Sequence, residues 1–334
     1  MPELRKDPLL ERWVLVAPER ADRPHAFLKP RDEGDEASCP FCPGNELTTA
    51  NELHAVREPG SQRNGPGWSL RVVPNRFPAL RIEIAPQRSA EGLLDQAGGT
   101  GAHEVIIESP DHRATLAKMP VAQVQDVLRA WQVRMADLSR DPRLLAAQVF
   151  RNFGVASGAT LGHPHSQLIA LPMVPTELSQ ELSTCEEHFA RKGRCLVCDL
   201  LAQELRVGSR VVLQSEQAVV LAPYASRGPF ELHVYPRAHR AGFENAPAHE
   251  LAALAEALRT ALRKLDGALD GPAYNLYLMS APLRTPFAAP DYHYRLVIKP
   301  TLTQPGGFEW GTGYCINPTP PEEAARFLQQ TEPR

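Results

Sequence analysis

Apolar positions form one helix-type pattern in each half of the chain. The first pattern comprises Val121, Val124, Leu128, Trp131, Met135 and Leu138, and the second comprises Leu251, Leu254, Leu258, Leu262 and Leu265. Apolar residues three or four positions apart lie on the same face of an α-helix. Each pattern begins near a proline, which is typical of a helix start. The sequence therefore predicts two amphipathic helices that each bury one face.

Strand-like segments surround each predicted helix in the same order. GAHEVIIESPDH, which ends at His112, and GPFELHVYPRAH, which ends at His239, precede the helices. The helices are followed by AAQVF or YNLYLM and then by HPHSQLIALP or DYHYRLVIKP. An order that occurs twice predicts an α+β fold of two tandem repeats. Each repeat is expected to be a largely antiparallel sheet with one packed helix, and the predicted domains are residues 1–180 and 181–334.

Composition narrows the class of protein. The chain has 334 residues, of which 43% are hydrophobic and 22% charged, with a formal net charge of −3. A slightly acidic chain without a run of like charges is not expected to bind nucleic acid through its phosphate backbone. The sequence contains no apolar stretch of about 18 residues and no signal-peptide pattern. We therefore expect a cytoplasmic protein that acts on a small anionic molecule and does not bind a membrane.

Four of the six cysteines form two Cys-x-x-Cys pairs, Cys39 with Cys42 and Cys195 with Cys198. In a reducing compartment such pairs are metal ligands or redox pairs, and unliganded thiols are a third alternative. The sequence Cys39-Pro-Phe-Cys42 precedes Pro43-Gly44, which is typical of a zinc-binding turn. This context favours metal over redox chemistry.

Each Cys pair is followed by histidines that can complete a tetrahedral site. The predicted first zinc site is Cys39, Cys42, His112 and His163, and the predicted second site is Cys195, Cys198, His239 and His293. Counting back from Pro172 and Pro300 leaves one alternative open, because this register places Asp291 opposite His163. Either Asp291 or His293 can therefore be the last ligand of the second site. We expect two zinc ions per subunit.

The segment His163-Pro-His165-Ser-Gln167 contains the most informative pattern in the chain. In an extended segment, residues two positions apart project from the same side. A metal can hold one histidine while the other faces a cleft. A histidine without a metal is a nucleophile toward phosphorus near neutral pH. The alternative is that both histidines bind metal. The preceding glycines can bring backbone N–H groups close to phosphate oxygens; they are Gly154, Gly158 and Gly162.

These motifs resemble a known family. Asn152, the glycine-rich loop and His163-Pro-His165-Ser-Gln167 are similar to the histidine-triad superfamily, and the tandem halves with Cys39-Pro-Phe-Cys42 resemble its galactose-1-phosphate uridylyltransferase branch. The resemblance covers nearly the whole chain. It implies that His165 is the nucleophile and that Gln167 assists it. It also implies a set of substrate-binding residues: Arg20, Arg23, Asn75, Asn152, Gly158, Ser166 and Phe308.

The resemblance also implies a mechanism and an assembly. His165 would attack the α-phosphorus of a nucleoside-diphosphate sugar, release the sugar 1-phosphate and become a nucleotidyl-histidine. A second phosphate compound would then take the nucleotidyl group. In the family, the arginines that Arg20 and Arg23 match reach the nucleotide sugar in a neighbouring subunit. A homodimer is therefore expected.

The C-terminal tail leaves the substrate open. The resemblance favours a UDP-glucose:hexose-1-phosphate uridylyltransferase of galactose metabolism. In that branch the tail carries acidic and amide side chains that contact the hexose, whereas the segment from Gly306 to Asn317 resembles more closely the related ADP-glucose phosphorylase branch. Adenylyl transfer to inorganic phosphate is the alternative. A non-enzymatic zinc module is a third interpretation, although such a module would not need His165.

Overall fold

The computed structural model describes residues 3–16, 18, 39–286 and 289–333. Its strands within these ranges are β1 (Glu3–Lys6), β2 (Trp13–Val16), β3 (His54–Arg57), β4 (Trp68–Pro74), β5 (Arg88–Glu91), β6 (Leu94–Ala97), β7 (Ala102–Ile107), β8 (Ala146–Phe153), β9 (His165–Leu171), β10 (Val211–Gln214), β11 (Ala218–Leu221), β12 (Leu232–Pro236), β13 (Tyr274–Met279), β14 (Arg295–Pro300) and β15 (Cys315–Asn317). Its helices there are α1 (Val121–Leu138), α2 (Thr176–Lys192), α3 (Leu196–Val207), α4 (Ala248–Leu269), α5 (Gly307–Thr312) and α6 (Pro321–Gln330).

The main sheet has ten strands in the order β3-β4-β7-β9-β8-β13-β14-β12-β11-β10. Every neighbouring pair is antiparallel, so the predicted antiparallel α+β architecture is confirmed. Strands β8 and β13 pair at the centre, and from there outward the two halves have the same strand order. The predicted boundary between residues 180 and 181 falls inside α2. The two predicted domains are thus halves of one continuous sheet.

Helices α1 and α4 lie side by side on one face of this sheet. Their apolar stripes are buried as the sequence periodicity predicts, and Val124, Leu128 and Leu258 are at most 1% exposed. These residues form one hydrophobic core with sheet residues from both halves, such as Leu168 and Leu296. Burial of the stripes against a shared sheet is the main source of stability for such helices. Helices α1 and α4 do not cover the opposite face of the sheet.

Strand alternation divides the central motif between these two faces. Ser166 and Leu168 of β9 face the helices, where Ser166 is fully buried and its Oγ accepts a 2.8 Å hydrogen bond from Trp131 Nε1 of α1. His165 and Gln167 face the other side, because neighbouring side chains in a strand point in opposite directions. The side chains of His165 and Gln167 therefore lie on the face of the sheet that is opposite to α1 and α4.

Smaller elements surround the main sheet. Strand β15 pairs parallel with β2, which pairs antiparallel with β1, so that a C-terminal strand joins the N-terminal hairpin. Arg210 beside β10 is bound by Glu204 of α3 and Glu322 of α6 at 2.7 to 2.9 Å. Among the described helices, none has the length and apolar character that a membrane crossing requires.

Candidate active site

The first Cys/His group gathers four residues that are far apart in the chain. Ligand atoms of Cys39, Cys42, His112 and His163 all lie within 4.8 Å of one another. Cys42 Sγ is 3.3 Å from His112 Nδ1 and 3.6 Å from His163 Nδ1, and the two Nδ1 atoms are 3.3 Å apart. Ligands 2.0 to 2.3 Å from a tetrahedral zinc ion are roughly 3.3 to 3.8 Å apart. The three distances among Cys42, His112 and His163 fall within this range, so the group could hold a metal ion.

Hydrogen bonds leave the correct nitrogen atoms free for a metal. His163 Nε2 donates to the Ser109 carbonyl at 2.8 Å, so its Nδ1 has a free lone pair. In the second group, His239 Nε2 donates to the Ala289 carbonyl at 2.8 Å and His293 Nε2 donates to the Pro236 carbonyl at 2.9 Å. A metal-binding histidine usually donates its other ring N–H in this way. The residues of both groups fit a metal ion.

The second group settles the register that the sequence left open. Cys195, Cys198, His239 and His293 have ligand atoms within 4.8 Å of one another, and Asp291 is not among them. Cys198 Sγ is 3.3 Å from His239 Nδ1 and 3.5 Å from His293 Nδ1. The count from the prolines was wrong because β14 includes Pro300 whereas β9 ends before Pro172. His293 is the counterpart of His163, and Arg295 takes the place of His165 in the second half.

His165 is held with one ring nitrogen ready for chemistry. Its Nδ1 donates to the His163 carbonyl at 2.8 Å, which leaves the lone pair on Nε2. The side chain is buried, and burial lowers the pKa of the imidazole below its usual value. The Phe41 ring packs edge-on against it, with ring centroids 5.5 Å apart. A neutral imidazole with one ring nitrogen held by a hydrogen bond and the other nitrogen free is suited to nucleophilic attack.

Three polar side chains form a cluster beside His165. Gln167 Oε1 accepts hydrogen bonds from His103 Nε2 at 2.8 Å and from Asn75 Nδ2 at 3.3 Å. The backbone N–H of Ala79 donates to His103 Nδ1 at 3.1 Å, which fixes the proton of His103 on Nε2. The structure therefore brings two of the predicted site residues, Asn75 and Gln167, into contact. It adds His103, which lies on the same face of β7 as Val105 and Ile107 and which no sequence motif indicated.

A cleft of about 410 Å³ opens next to His165. It is lined by the loop between β8 and β9 and by the segments that contain Arg113 and Ala273. Asn275 Nδ2 donates to Asn152 Oδ1 and to the Ser157 carbonyl, both at 2.9 Å, so the second half of the sheet holds the glycine-rich loop. The volume is in the range of small-molecule sites.

Two glycines shape this loop through backbone angles that favour glycine. Gly154 has φ +80° and ψ 151°, which is essentially a glycine-only conformation, and Gly158 has φ +86° and ψ 15°. A Cβ on Gly154 would also lie 2.8 Å from Ala273 Cβ, whereas one on Gly158 would meet nothing closer than 3.7 Å. Replacement of Gly154 by a larger residue is therefore expected to destabilise the loop more than replacement of Gly158.

We expect Gly154→Ala to disturb the loop more than Gly158→Ala. The second change costs about 1 kcal/mol for a left-handed conformation, and the first adds a clash with the Ala273 side chain to a larger conformational penalty. Thermal unfolding and nucleotide binding of the two variants measure the difference. Equal effects on both quantities would mean that Ala273 yields and that the loop is not held as described.

Some predicted residues do not join the cleft. The Ser166 side chain faces α1 and is bound to Trp131, so its hydroxyl does not line the site. Phe308 lies on α5 and is 46% exposed, and no contact between it and His165 is present among the described residues. Arg20 and Arg23 lie outside the described residues. Asn75, Gly158 and Gln167 are also not among the described residues that line this cleft. The roles of all these residues remain predictions.

Comparison with known proteins defines the class. Residues 1–175 match the family described as "Galactose-1-phosphate uridyl transferase, N-terminal domain". The chain belongs to this family. Its relatives are named as uridylyltransferases and an ADP-glucose phosphorylase, which are enzymes of the nucleotidyltransferase type, and this chain is an enzyme of that type.

Relatives of two kinds match nearly the whole chain. ADP-glucose phosphorylase of Arabidopsis thaliana is 35% identical over 98% of this chain and 93% of its own length. Galactose-1-phosphate uridylyltransferase of Thermotoga maritima is 28% identical over 99% of both chains. The crystal structure of the Arabidopsis ADP-glucose phosphorylase with bound ADP-glucose superposes with a TM-score of 0.84 at 34% identity and covers 99% of both chains. A uridylyltransferase structure gives 0.77 at 28% identity, covering 98% of this chain and 97% of that one.

Proposed function

We propose that this protein transfers the nucleotidyl group of a nucleoside-diphosphate sugar through His165, with ADP-glucose as donor and inorganic phosphate as acceptor. The observation that carries the proposal is the orientation of His165, whose Nδ1 is bound to the His163 carbonyl while Nε2 is free. The full-length similarity to an ADP-glucose phosphorylase and the form of the tail after Gly306 support the choice of donor.

The proposed reaction has two balanced steps. His165 Nε2 forms a bond to the α-phosphorus of ADP-glucose, and the bond from that phosphorus to the bridging oxygen breaks and releases glucose 1-phosphate. A phosphate oxygen then attacks the adenylyl-histidine, the phosphorus–nitrogen bond breaks, and ADP leaves. Gln167 and the backbone N–H groups of the glycine-rich loop are proposed to stabilise the charge that develops on the phosphoryl oxygens.

Zinc in both Cys/His groups is part of the proposal. Thiolate and imidazole ligands without an open position are typical of structural zinc. His163 belongs to the first group, and its carbonyl accepts the hydrogen bond from His165 Nδ1. A metal bound there would therefore help to hold the nucleophile in position. The matching strand order of the two halves supports a duplicated unit, and the homodimer expected from the family resemblance is retained as part of the proposal.

Uridylyl transfer from UDP-glucose to a hexose 1-phosphate is the second candidate. The match of residues 1–175 to the uridyl transferase family and the 28% identity to the Thermotoga maritima enzyme favour it. The sequence motifs favour uridylyl transfer over adenylyl transfer. The greater sequence identity to the phosphorylase, 35% against 28%, favours adenylyl transfer instead. The two candidates share His165 and differ in base and acceptor.

The acceptor distinguishes the candidates. We expect enzyme that carries the nucleotidyl group to be discharged rapidly by inorganic phosphate and weakly by galactose 1-phosphate. A site built to hydrogen-bond a sugar hydroxyl rejects analogues lacking it by a factor on the order of 10⁴. In the tail after Gly306, Glu309 accepts a hydrogen bond from the Gly306 N–H and Asn317 donates to the Ser226 carbonyl, so both side chains are engaged within the protein. Rapid-quench measurements with phosphate, glucose 1-phosphate and galactose 1-phosphate compare the rates. Strong preference for galactose 1-phosphate would favour uridylyl transfer.

A further inference from the structure

A buried arginine lies at the wall of the His165 cleft and has no role in the reaction as described so far. Arg151 of β8 is only 1% exposed, yet it is one of the residues that line the cleft. Arg113 is the other arginine in the lining, and no Asp or Glu is present among the described lining residues. A cleft whose described lining contains two arginines and no carboxylate favours an anionic ligand.

Neighbouring side chains fix the direction of the Arg151 guanidinium. Its Nε donates to Glu108 Oε2 and its Nη1 donates to Tyr274 Oη, both at 2.9 Å. The guanidinium carbon lies 5.0 Å from the Phe153 ring centroid and 5.7 Å from that of Tyr274. Nη2 has no hydrogen bond among the described residues. Because arginine donates in a rigid planar fork, the two bonds that are made also determine where Nη2 points.

The support for Arg151 is connected to the support for the nucleophile. The Glu108 backbone N–H donates to the Pro164 carbonyl at 3.0 Å, and Ile107 next to it pairs with His165 in the register of β7 and β9. Glu108 therefore ties the guanidinium to the segment between the two histidines. A cation fixed to this segment keeps a constant position relative to His165.

We infer that Arg151 binds a phosphate group of the nucleotide in the cleft through Nη2, oriented by Glu108 and Tyr274. The inference rests on the proposed function only for the kind of ligand. It assigns a substrate contact to a residue that the motifs did not indicate. Arginine suits this role because it stays charged when buried and binds phosphate oxygens with directed hydrogen bonds.

Equilibrium binding of AMP and adenosine tests the inference without turnover. We expect Arg151→Met to weaken AMP binding about 10- to 100-fold, the usual effect of losing a hydrogen bond to a charged group. Adenosine binding is expected to stay within about twofold, since adenosine lacks phosphate. Binding of UMP and uridine is measured in parallel. The variants are then compared with the nucleotide and nucleoside of the base that the wild-type protein binds. Calorimetry gives the dissociation constants.

A second buried Arg–Glu pair provides a matched control. Arg134 of α1 binds Glu104 through two hydrogen bonds of 2.7 and 2.8 Å and does not line the cleft. Arg134→Met removes a comparable buried charge, and we expect it to lower stability without a selective loss of AMP binding. Unchanged AMP binding in a folded Arg151→Met protein would overturn the inference, as would equal losses for AMP and adenosine.

A milder variant covers the case in which Arg151→Met does not fold. Arg151→Lys keeps the charge but cannot bind Glu108, Tyr274 and a phosphate together, so we expect several-fold weaker AMP binding and unchanged adenosine binding. Unchanged AMP binding in this variant also overturns the inference. The inference is also overturned if the wild-type protein binds AMP no more tightly than adenosine. These experiments measure binding and no covalent step, so their outcome does not depend on whether the proposed reaction is correct.

Discussion

Replacing His165 with alanine is expected to abolish nucleotidyl transfer. Among the described residues that line the cleft, His165 is the histidine that does not belong to the first Cys/His group, and loss of a nucleophile costs on the order of 10⁴-fold or more in rate. We expect zinc content and thermal stability close to those of the wild type, since His165 is not part of the metal group. Steady-state turnover and metal analysis measure both outcomes.

An exposed histidine gives the control for this substitution. His249 of α4 is on the surface and far from β9 in the fold, so His249→Ala should retain full turnover. If His165→Ala kept more than a small fraction of the wild-type rate, another residue would have to be the nucleophile. If it lost zinc, the separation between nucleophile and metal group would be wrong.

Removing one thiol from each Cys/His group should have the largest effect on stability. We expect Cys39→Ser and Cys195→Ser each to reduce the zinc content from two ions per subunit to one. Structural zinc sites contribute about 10 to 16 kcal/mol in small domains, so losing a ligand forfeits a large part of that free energy for the surrounding segment. Thermal unfolding with metal analysis by mass spectrometry checks both statements.

Cys315 makes this experiment specific. It lies on β15 and belongs to neither metal group, so Cys315→Ser should retain two ions and wild-type stability. The two site variants should differ in activity, because only the first group is linked to His165 through His163. A Cys195→Ser protein that keeps two ions would show that the second group does not bind metal.

The sequence predicted those parts of the fold that depend on local periodicity. The apolar stripe from Val121 to Leu138 coincides with α1, and the His-bearing runs became β9 and β14. These patterns succeed because each helix and strand buries one face against the same sheet. The pairing of β8 with β13 could not be predicted, because it joins segments from different halves and leaves no local signal.

Side-chain direction limited what could be inferred about the site. Ser166 lies in the motif between His165 and Gln167, but strand alternation turns its hydroxyl to the opposite face of the sheet, toward Trp131. His103 and Arg151 were missed for the opposite reason. Each is a single residue in a strand, and its role depends on partners far away in the chain, such as Gln167 for His103 and Glu108 for Arg151. Only the three-dimensional arrangement brings these partners together.

The central claim is that a nucleotidyl group is carried on His165, and intact-protein mass spectrometry tests it most directly. Wild-type protein mixed with ADP-glucose in the absence of phosphate should gain the mass of one AMP, and peptide mapping should place it on the segment with His165. A gain of UMP from UDP-glucose instead would change the base and keep the mechanism. Release of glucose 1-phosphate without any covalent adduct, or an adduct on another residue, would contradict the account.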